Sequence, residues 1–184
     1  MASVLEKQAK HWTYEDYYQL GDDQRYEIIE GELLMAPAPD TWHQNWILEL
    51  VAILREHVRK YKLGRVFVSP VDVVFDPENT VQPDIVLVTA ANARIIQRQA
   101  IFGVPDLLVE LVSPSSVRRD RYDKKSLYAR FGVKEYWIGD PANQALEILT
   151  LKEGAYELHC CAEKKGKLTS LVLPGLEFDL SEIQ

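Results

Sequence analysis

Three short stretches carry side chains that could do chemistry together. Gln82-Pro83-Asp84 leads into the apolar run Ile85-Val86-Leu87-Val88. Leu107-Leu108-Val109-Glu110-Leu111-Val112 forms a second such run, and Asp120-Arg121-Tyr122-Asp123-Lys124-Lys125 comes next on a segment with helical spacing. Each apolar run holds a carboxylate that its neighbours would bury, and a buried charge without a partner is costly or becomes neutralised. Two such carboxylates brought together invite a cation. Neighbouring strands lie about 4.8 Å apart, so if the two runs pair, Asp84 and Glu110 can share a hard cation such as Mg²⁺, which takes oxygen ligands and keeps several waters. Asp106 precedes Glu110 by roughly 13 Å of extended chain, too far to share that ion. Behind Pro105, it reads as a strand-entry residue.

Helical phase places the lysine. On a helix from Arg119 to Phe131, Leu127, Tyr128 and Phe131 define the buried face. Lys124 falls near its middle with Asp120 beside it, while Lys125 points to the flank. Two explanations stand open for a core-side lysine. One is an Asp120–Lys124 pair one turn apart, or a stem that snorkels to the edge. The other is an ammonium that reaches the Asp84/Glu110 site and there orients water or stabilises charge on a phosphate oxygen.

The elements that must position these groups are legible in outline. Thr13-Tyr14-Glu15-Asp16 reads as the capped start of a short helix to Leu20, ended by Gly21-Asp22-Asp23. Tyr26–Ile29 and Leu33–Met35 read as a β-hairpin. Pro37-Ala38-Pro39 breaks regular structure, with Asp40 or Thr41 capping the next helix. Trp42–Tyr61 is the clearest helix, with Ile47, Leu50, Val51, Leu54, Val58 and Tyr61 on one stripe and Gly64 as its stop. His43 sits on that stripe in the first turn and is weighted as a packed or capping residue. Strands are expected over Val66–Ser69, Val71–Phe75, Ile85–Val88, Leu107–Val112, Tyr136–Ile138, Ala145–Thr150, Tyr156–Cys161 and Leu168–Leu173, with Asp76-Pro77-Glu78-Asn79 as a turn. The expectation is a single α/β domain over residues 1–184, its first twelve residues loosely ordered. A mixed β-sheet is expected, succeeded by antiparallel C-terminal strands.

Composition bounds the function. The length fits one domain, and the apolar and charged fractions, 47% and 27%, are those of an ordinary globular protein. No signal-peptide core and no 18-residue apolar run occurs, so a cytoplasmic protein without membrane contact is expected. Cys160 and Cys161 are adjacent and make neither a disulfide framework nor a metal knuckle. The net charge of −7 argues against a nucleic-acid binder. Residues 55–65 and 118–134, however, together carry +9, which leaves −16 for the rest of the chain. Such polarity can guide a polyanion to one face, or it can be two solvated helix faces.

Taken together, these residues resemble a family. Pro83-Asp84 and then Glu110 in Val-Glu-Leu-Val-Ser-Pro-Ser is similar to the PD-(D/E)XK nuclease superfamily. More closely, the chain resembles the Uma-type restriction endonuclease family, catalogued as a domain of unknown function. The match runs through Tyr26-Glu27-Ile28-Ile29-Glu30-Gly31-Glu32-Leu33, Gln82-Pro83-Asp84, residues 109–115, Gly132–Ile138 with Asp140-Pro141, and Leu173-Pro174-Gly175-Leu176. The resemblance implies a restriction-endonuclease-like core, a central mixed β-sheet flanked by helices, and Mg²⁺-dependent hydrolysis of phosphodiesters in DNA, with Mn²⁺ able to substitute and no small-molecule cofactor. It assigns Asp84, Glu110 and the Leu111 carbonyl to the metal, and Lys124 to the attacked phosphate. The superfamily's lysine stands two residues after the glutamate, where this chain has Val112; the family it resembles takes its lysine from the next helix instead, which fits the helical placement of Lys124. Two rival expectations remain. One is a nucleic-acid-binding or regulatory module of the same fold with little catalysis. The other is a structural or oligomeric protein, for which Trp12, Tyr14, Tyr17 and Tyr18 could serve a homodimer contact, although core packing is the commoner use of such residues.

Overall fold

A computed structural model describes residues 10–21, 24–35, 40–114 and 116–183. The expected stop at 22–23, the breaker at 37–39 and Ser115 lie outside them. The expectation for residues 1–12 meets them only at its end, where the Trp12 N–H bonds the Gly31 carbonyl.

In chain order the elements are α1 (Tyr14–Tyr18), β1 (Tyr26–Ile29), β2 (Glu32–Met35), α2 (Thr41–Tyr61), β3 (Gly64–Val68), β4 (Val73–Asp76), β5 (Asn79–Val81), β6 (Ile85–Thr89), β7 (Ile101–Phe102), β8 (Leu107–Leu111), α3 (Lys125–Phe131), β9 (Glu135–Asp140), β10 (Ala145–Lys152), β11 (Ala155–Glu163), β12 (Lys167–Thr169) and β13 (Glu177–Asp179). The central sheet runs β11-β10-β9-β8-β6-β3. It is mixed, because β8 and β9 run parallel while their neighbours pair antiparallel. A second sheet, β2-β1-β5-β4-β7, collects the N-terminal hairpin and the strands before β6. Strands β12 and β13 form a ribbon.

Alternation along β8 explains the layers. Leu107, Val109 and Leu111 share one face with Trp46, Ile47, Leu50, Leu54 and Val58, the buried stripe of α2. Leu108 faces the other way, against Leu127 and Tyr128 of α3 and Val73, Val81 and Ile101 of the second sheet. Strands β6 and β8 are apolar on both faces because both are covered.

Some boundaries differ from expectation for local reasons. Asp40 caps α2 through the His43 N–H at 2.8 Å. Lys62, not Gly64, takes the left-handed position at the far end, with φ 55°. Gly64 opens β3 instead, where a Cβ would collide with the Val88 carbonyl of β6. Tyr61 is exposed rather than part of the stripe, and Trp46 is buried in it. Asn79 begins a strand rather than ending a turn, because its side chain accepts from the Glu30 N–H and donates to Asp76. The third C-terminal strand stops at Thr169 instead of reaching Leu173, since the chain turns there to bond Glu135. The expected helix over Arg119–Phe131 begins as a π-helical turn, Arg119–Lys124, before α3.

Candidate active site

Gln82-Pro83-Asp84 is the corner where the chain leaves β5 of the small sheet and enters β6 of the central sheet. In the β6–β8 ladder Ile85 stands opposite Val109, so continuing the register sets Asp84 opposite Glu110 on one face. The next pair is Pro83 opposite Leu111. Proline has no N–H to give, so the Leu111 carbonyl lacks the donor that the ladder would otherwise supply. The Leu111 N–H is taken by Asp84 Oδ2 at 2.7 Å. Asp84 Oδ1 lies 2.9 Å from Nε2 of His43, in the first turn of α2. That helix, capped by Asp40, thus fixes one oxygen of the carboxylate and β8 fixes the other.

Lys124 is 4% exposed and its ammonium is the hub of a charged cluster. It donates to Glu110 Oε1 at 2.8 Å and pairs with Glu27 Oε1 at 2.7 Å, with Asp120 Oδ1 at 3.8 Å. The lysine thus meets Asp120, the longest of these contacts, and also reaches Glu110. Tyr128 donates to the same Glu110 oxygen at 2.6 Å, so neither bond engages Oε2. Glu27 reaches the cluster because β1 pairs with β5, and it also accepts from the Gln82 N–H at 2.9 Å. Arg119 stands 3.7 Å from Glu27 Oε2.

Burial pushes the Glu110 carboxyl well above the usual carboxylate range. The Asp120, Asp84 and Glu27 charges add to this, and Lys124 opposes without cancelling it. Burial likewise raises Asp120, against the pull of Lys124 and the Ser116 hydroxyl. For Glu27 burial is outweighed by the Lys124 charge and bond, the Gln82 N–H and Arg119, and the carboxyl sits low. Burial would depress Lys124, yet Glu110, Glu27 and Asp120 hold it above an ordinary lysine. His43 is also raised, the Asp84 bond and charge overcoming its burial. The cluster holds four carboxyl groups (Glu27, Asp84, Glu110, Asp120) against Lys124 and Arg119. A carboxylate disfavoured as an anion is one that gains from a further cation.

Among the described residues no group of three or more His, Cys, Asp or Glu side chains is spaced to hold a metal ion. A hard cation still fits the donor set. Asp84 and Glu110 supply oxygens from facing positions, Leu111 supplies a carbonyl without a ladder donor, and Mg²⁺ commonly takes one or two carboxylates and completes its shell with water. These groups line a cleft of about 400 Å³, with Arg25 and Arg119 also on its wall.

Asp84, Glu110, Leu111 and Lys124 thus converge. Asp106 does not, because it binds Thr89 and Lys134 at the other end of β8. Sequence reasoning assigns no site role to Glu27, His43 or Tyr128. Glu27 carries the same signal as Glu110, one carboxylate within a short apolar strand. Tyr128 reads as core, which it also is, and His43 gives no distinguishing signal.

A family model described as "Uma2: Putative restriction endonuclease" matches residues 13–181. The crystal structure of a protein titled a putative nuclease belonging to DUF820, from Anabaena variabilis ATCC 29413, is similar with a TM-score of 0.76 at 18% identity. The match covers 93% of this chain and 96% of that one. At that identity the likeness concerns the fold, a mixed sheet flanked by helices. No curated protein matches the sequence.

Proposed function

Since the chain belongs to the Uma2 family of restriction-endonuclease-like proteins, we propose that it is a nuclease using a divalent metal, Mg²⁺ or Mn²⁺ in its place, to hydrolyse phosphodiester bonds in DNA. The observation that carries this reading is that Asp84 and Glu110 line one cleft, where Lys124 bonds Glu110, and that continuing the β6–β8 register sets the two acids opposite each other. Asp84, Glu110 and the Leu111 carbonyl would hold the metal. When bound, the ion supplies charge neutralisation at the phosphate and a water of lowered pKa.

The chain's own groups do the rest. His43 and the Leu111 N–H fix both oxygens of Asp84, so its carboxylate is oriented before any ligand arrives. Tyr128 and Lys124 do the same for Glu110 from one side. Lys124 carries a permanent positive charge beside the place where a phosphate oxygen would gain negative charge. Arg25 and Arg119 on the cleft wall give flanking phosphates cationic contacts, which position a strand without reading its sequence.

The test is cleavage of supercoiled plasmid and of single-stranded DNA with Mg²⁺, with Mn²⁺ and with EDTA. The wild type should cleave only with metal, and Asp84→Ala and Glu110→Ala should each lose activity by about 10³-fold. Cleavage that survives both substitutions removes the site. One observation favours a second reading, a nucleic-acid-binding module with weak catalysis. Lys124 is held between Glu27 and Glu110 at 2.7 and 2.8 Å, and must loosen to reach a substrate. That reading expects salt-sensitive DNA binding without metal-dependent turnover.

A further inference from the structure

A second cavity, of about 710 Å³, opens beside the cleft. The two share Asp40, His43, Ser113 and Pro114, so they form one continuous groove across the start of α2. One wall of the annex is Trp42, whose chain neighbour His43 bonds the candidate metal ligand Asp84. Trp42 is 69% exposed. Among the described residues its ring stacks on no other aromatic side chain and lies under no cation. The annex is also lined by the β9–β10 turn, with Asn143 and Gln144, and by Lys164 beyond β11. Asn143 donates to Asp140 from its backbone N–H and from Nδ2, which leaves its side-chain oxygen as the group able to accept.

The charge of the annex differs from that of a phosphate track. Asp40 and Glu163 outnumber Lys164 among its lining residues, whereas Arg25 and Arg119 stand on the cleft side. A large exposed ring, a small set of polar groups and no cationic row suit a nucleobase rather than the backbone that carries it. Stacking on an aromatic face tolerates any base but requires that the base be unpaired.

We propose that the Trp42 annex is a nucleotide subsite, in which one unpaired base flanking the scissile phosphate stacks on the indole. The substrate is then single-stranded DNA or a duplex with an extruded base. This deepens the nuclease reading and rests on it for the position of the scissile phosphate. Continuity with the cleft commits the groove to the same strand that occupies the cleft.

The experiment is fluorescence anisotropy of labelled twelve-nucleotide single strands and the matching duplex, with Ca²⁺ replacing Mg²⁺ so that binding is read apart from turnover. The full chain should prefer the single strand, Trp42→Ala should weaken that binding about tenfold, and Trp42→Phe should restore most of it. One abasic position in the strand should cost the wild type a similar factor and cost Trp42→Ala nothing further. Because Trp42 is exposed, its variants should melt with the wild type. Equal affinity of Trp42→Ala and wild type overturns the subsite, as do losses that add for the abasic strand and Trp42→Ala, or the absence of oligonucleotide binding by the wild type. The nuclease reading fails separately. Trp42-dependent binding without metal-dependent cleavage leaves the subsite standing, and Asp84-dependent cleavage indifferent to Trp42 leaves only the nuclease.

Discussion

Glu110 and Glu135 sit on adjacent parallel strands, β8 and β9, yet they face opposite sides of the central sheet and live in opposite electrostatic circumstances. The β8–β9 register sets Leu107 beside Glu135 and Glu110 beside Ile138, which puts the two carboxylates on different faces. Glu135 is fully buried and accepts four hydrogen bonds, from Trp137 Nε1 at 2.7 Å, Ser170 Oγ at 2.7 Å, Leu171 N at 2.8 Å and Val172 N at 3.1 Å. Its donors are neutral and fixed, and they tie β9 to the turn before β13. Glu110 is almost as buried, but it has two donors on one oxygen and three further carboxyl groups pressing on it. Burial of an acid therefore does not mark a functional site. The mark is a carboxylate whose acceptor capacity and charge are left unbalanced, because only that one has something to offer a ligand.

The contrast can be broken most violently at Glu135. Substituting alanine strands a buried indole N–H and a buried hydroxyl, and leaves two half-buried backbone N–H groups without their acceptor. Glu135→Ala should cost about 3–5 kcal/mol of unfolding free energy, or prevent folding altogether. Urea titration of the purified variant measures this. A loss below about 1 kcal/mol would mean that water reaches those donors and that the knot is not structural.

A smaller effect with the opposite sign is expected at Glu110. Its folded-state pKa is raised, so the stability it contributes is present below the ordinary carboxylate pKa of about 4.3 and is lost as pH rises through the higher folded value. Glutamine is neutral at every pH and can still accept from Lys124 and Tyr128. Glu110→Gln should therefore melt above the wild type at pH 7 to 8, and the two curves should converge as pH falls toward about 4.3. Under the proposed function the same variant should no longer cleave DNA. A variant less stable at neutral pH would show that the Lys124 attraction wins over burial, and the two glutamates would then be alike.

How much is written locally in the chain differs between the two acids. The apolar runs around Asp84 and Glu110, the amphipathic stripe of α2 and the buried phase of Lys124 are properties of a few neighbouring residues. Each can be read without knowing what lies across the fold. Glu135 stands in a similar apolar setting, Val-Lys-Glu-Tyr-Trp-Ile, but its donors come chiefly from Ser170 to Val172, and no local pattern announces them. Glu27 carries a local signal like that of Glu110, but its place in the cluster is hidden, because its contact with Lys124 depends on β1 pairing with β5, a strand whose first residue reads as part of a turn. The π-helical turn at Arg119–Lys124 is equally hidden, since periodicity over so short a stretch does not separate it from an α-helix. The proline of Pro83-Asp84 can be read as a strand-entry residue. Its effect on the Leu111 carbonyl requires the register.

Asp106 supplies the mildest test, because it resembles Glu135 in being satisfied and resembles Glu110 in having a lysine partner. Its Oδ2 accepts from Thr89 N at 2.8 Å and Thr89 Oγ1 at 2.9 Å, and its Oδ1 pairs with Lys134 at 2.7 Å. Burial pushes this carboxyl up, but Lys134, Thr89 and Asn92 together hold it below the usual range. A depressed pKa contributes stability above the unfolded value of about 3.9, lost as pH falls through the folded one. Lys134 is 69% exposed, so solvent weakens its share, and most of the effect should come from the Thr89 bonds. Asp106→Asn should cost about 1–2 kcal/mol at pH 7, with the gap narrowing below about pH 4, measured by denaturant titration at both pH values. The pH trend is therefore opposite in sense to that of Glu110→Gln. If acid instead favoured the wild type here as well, the charge on Asp106 would be a burden rather than a support, and a satisfied carboxylate could no longer be told from a poised one by its pH response.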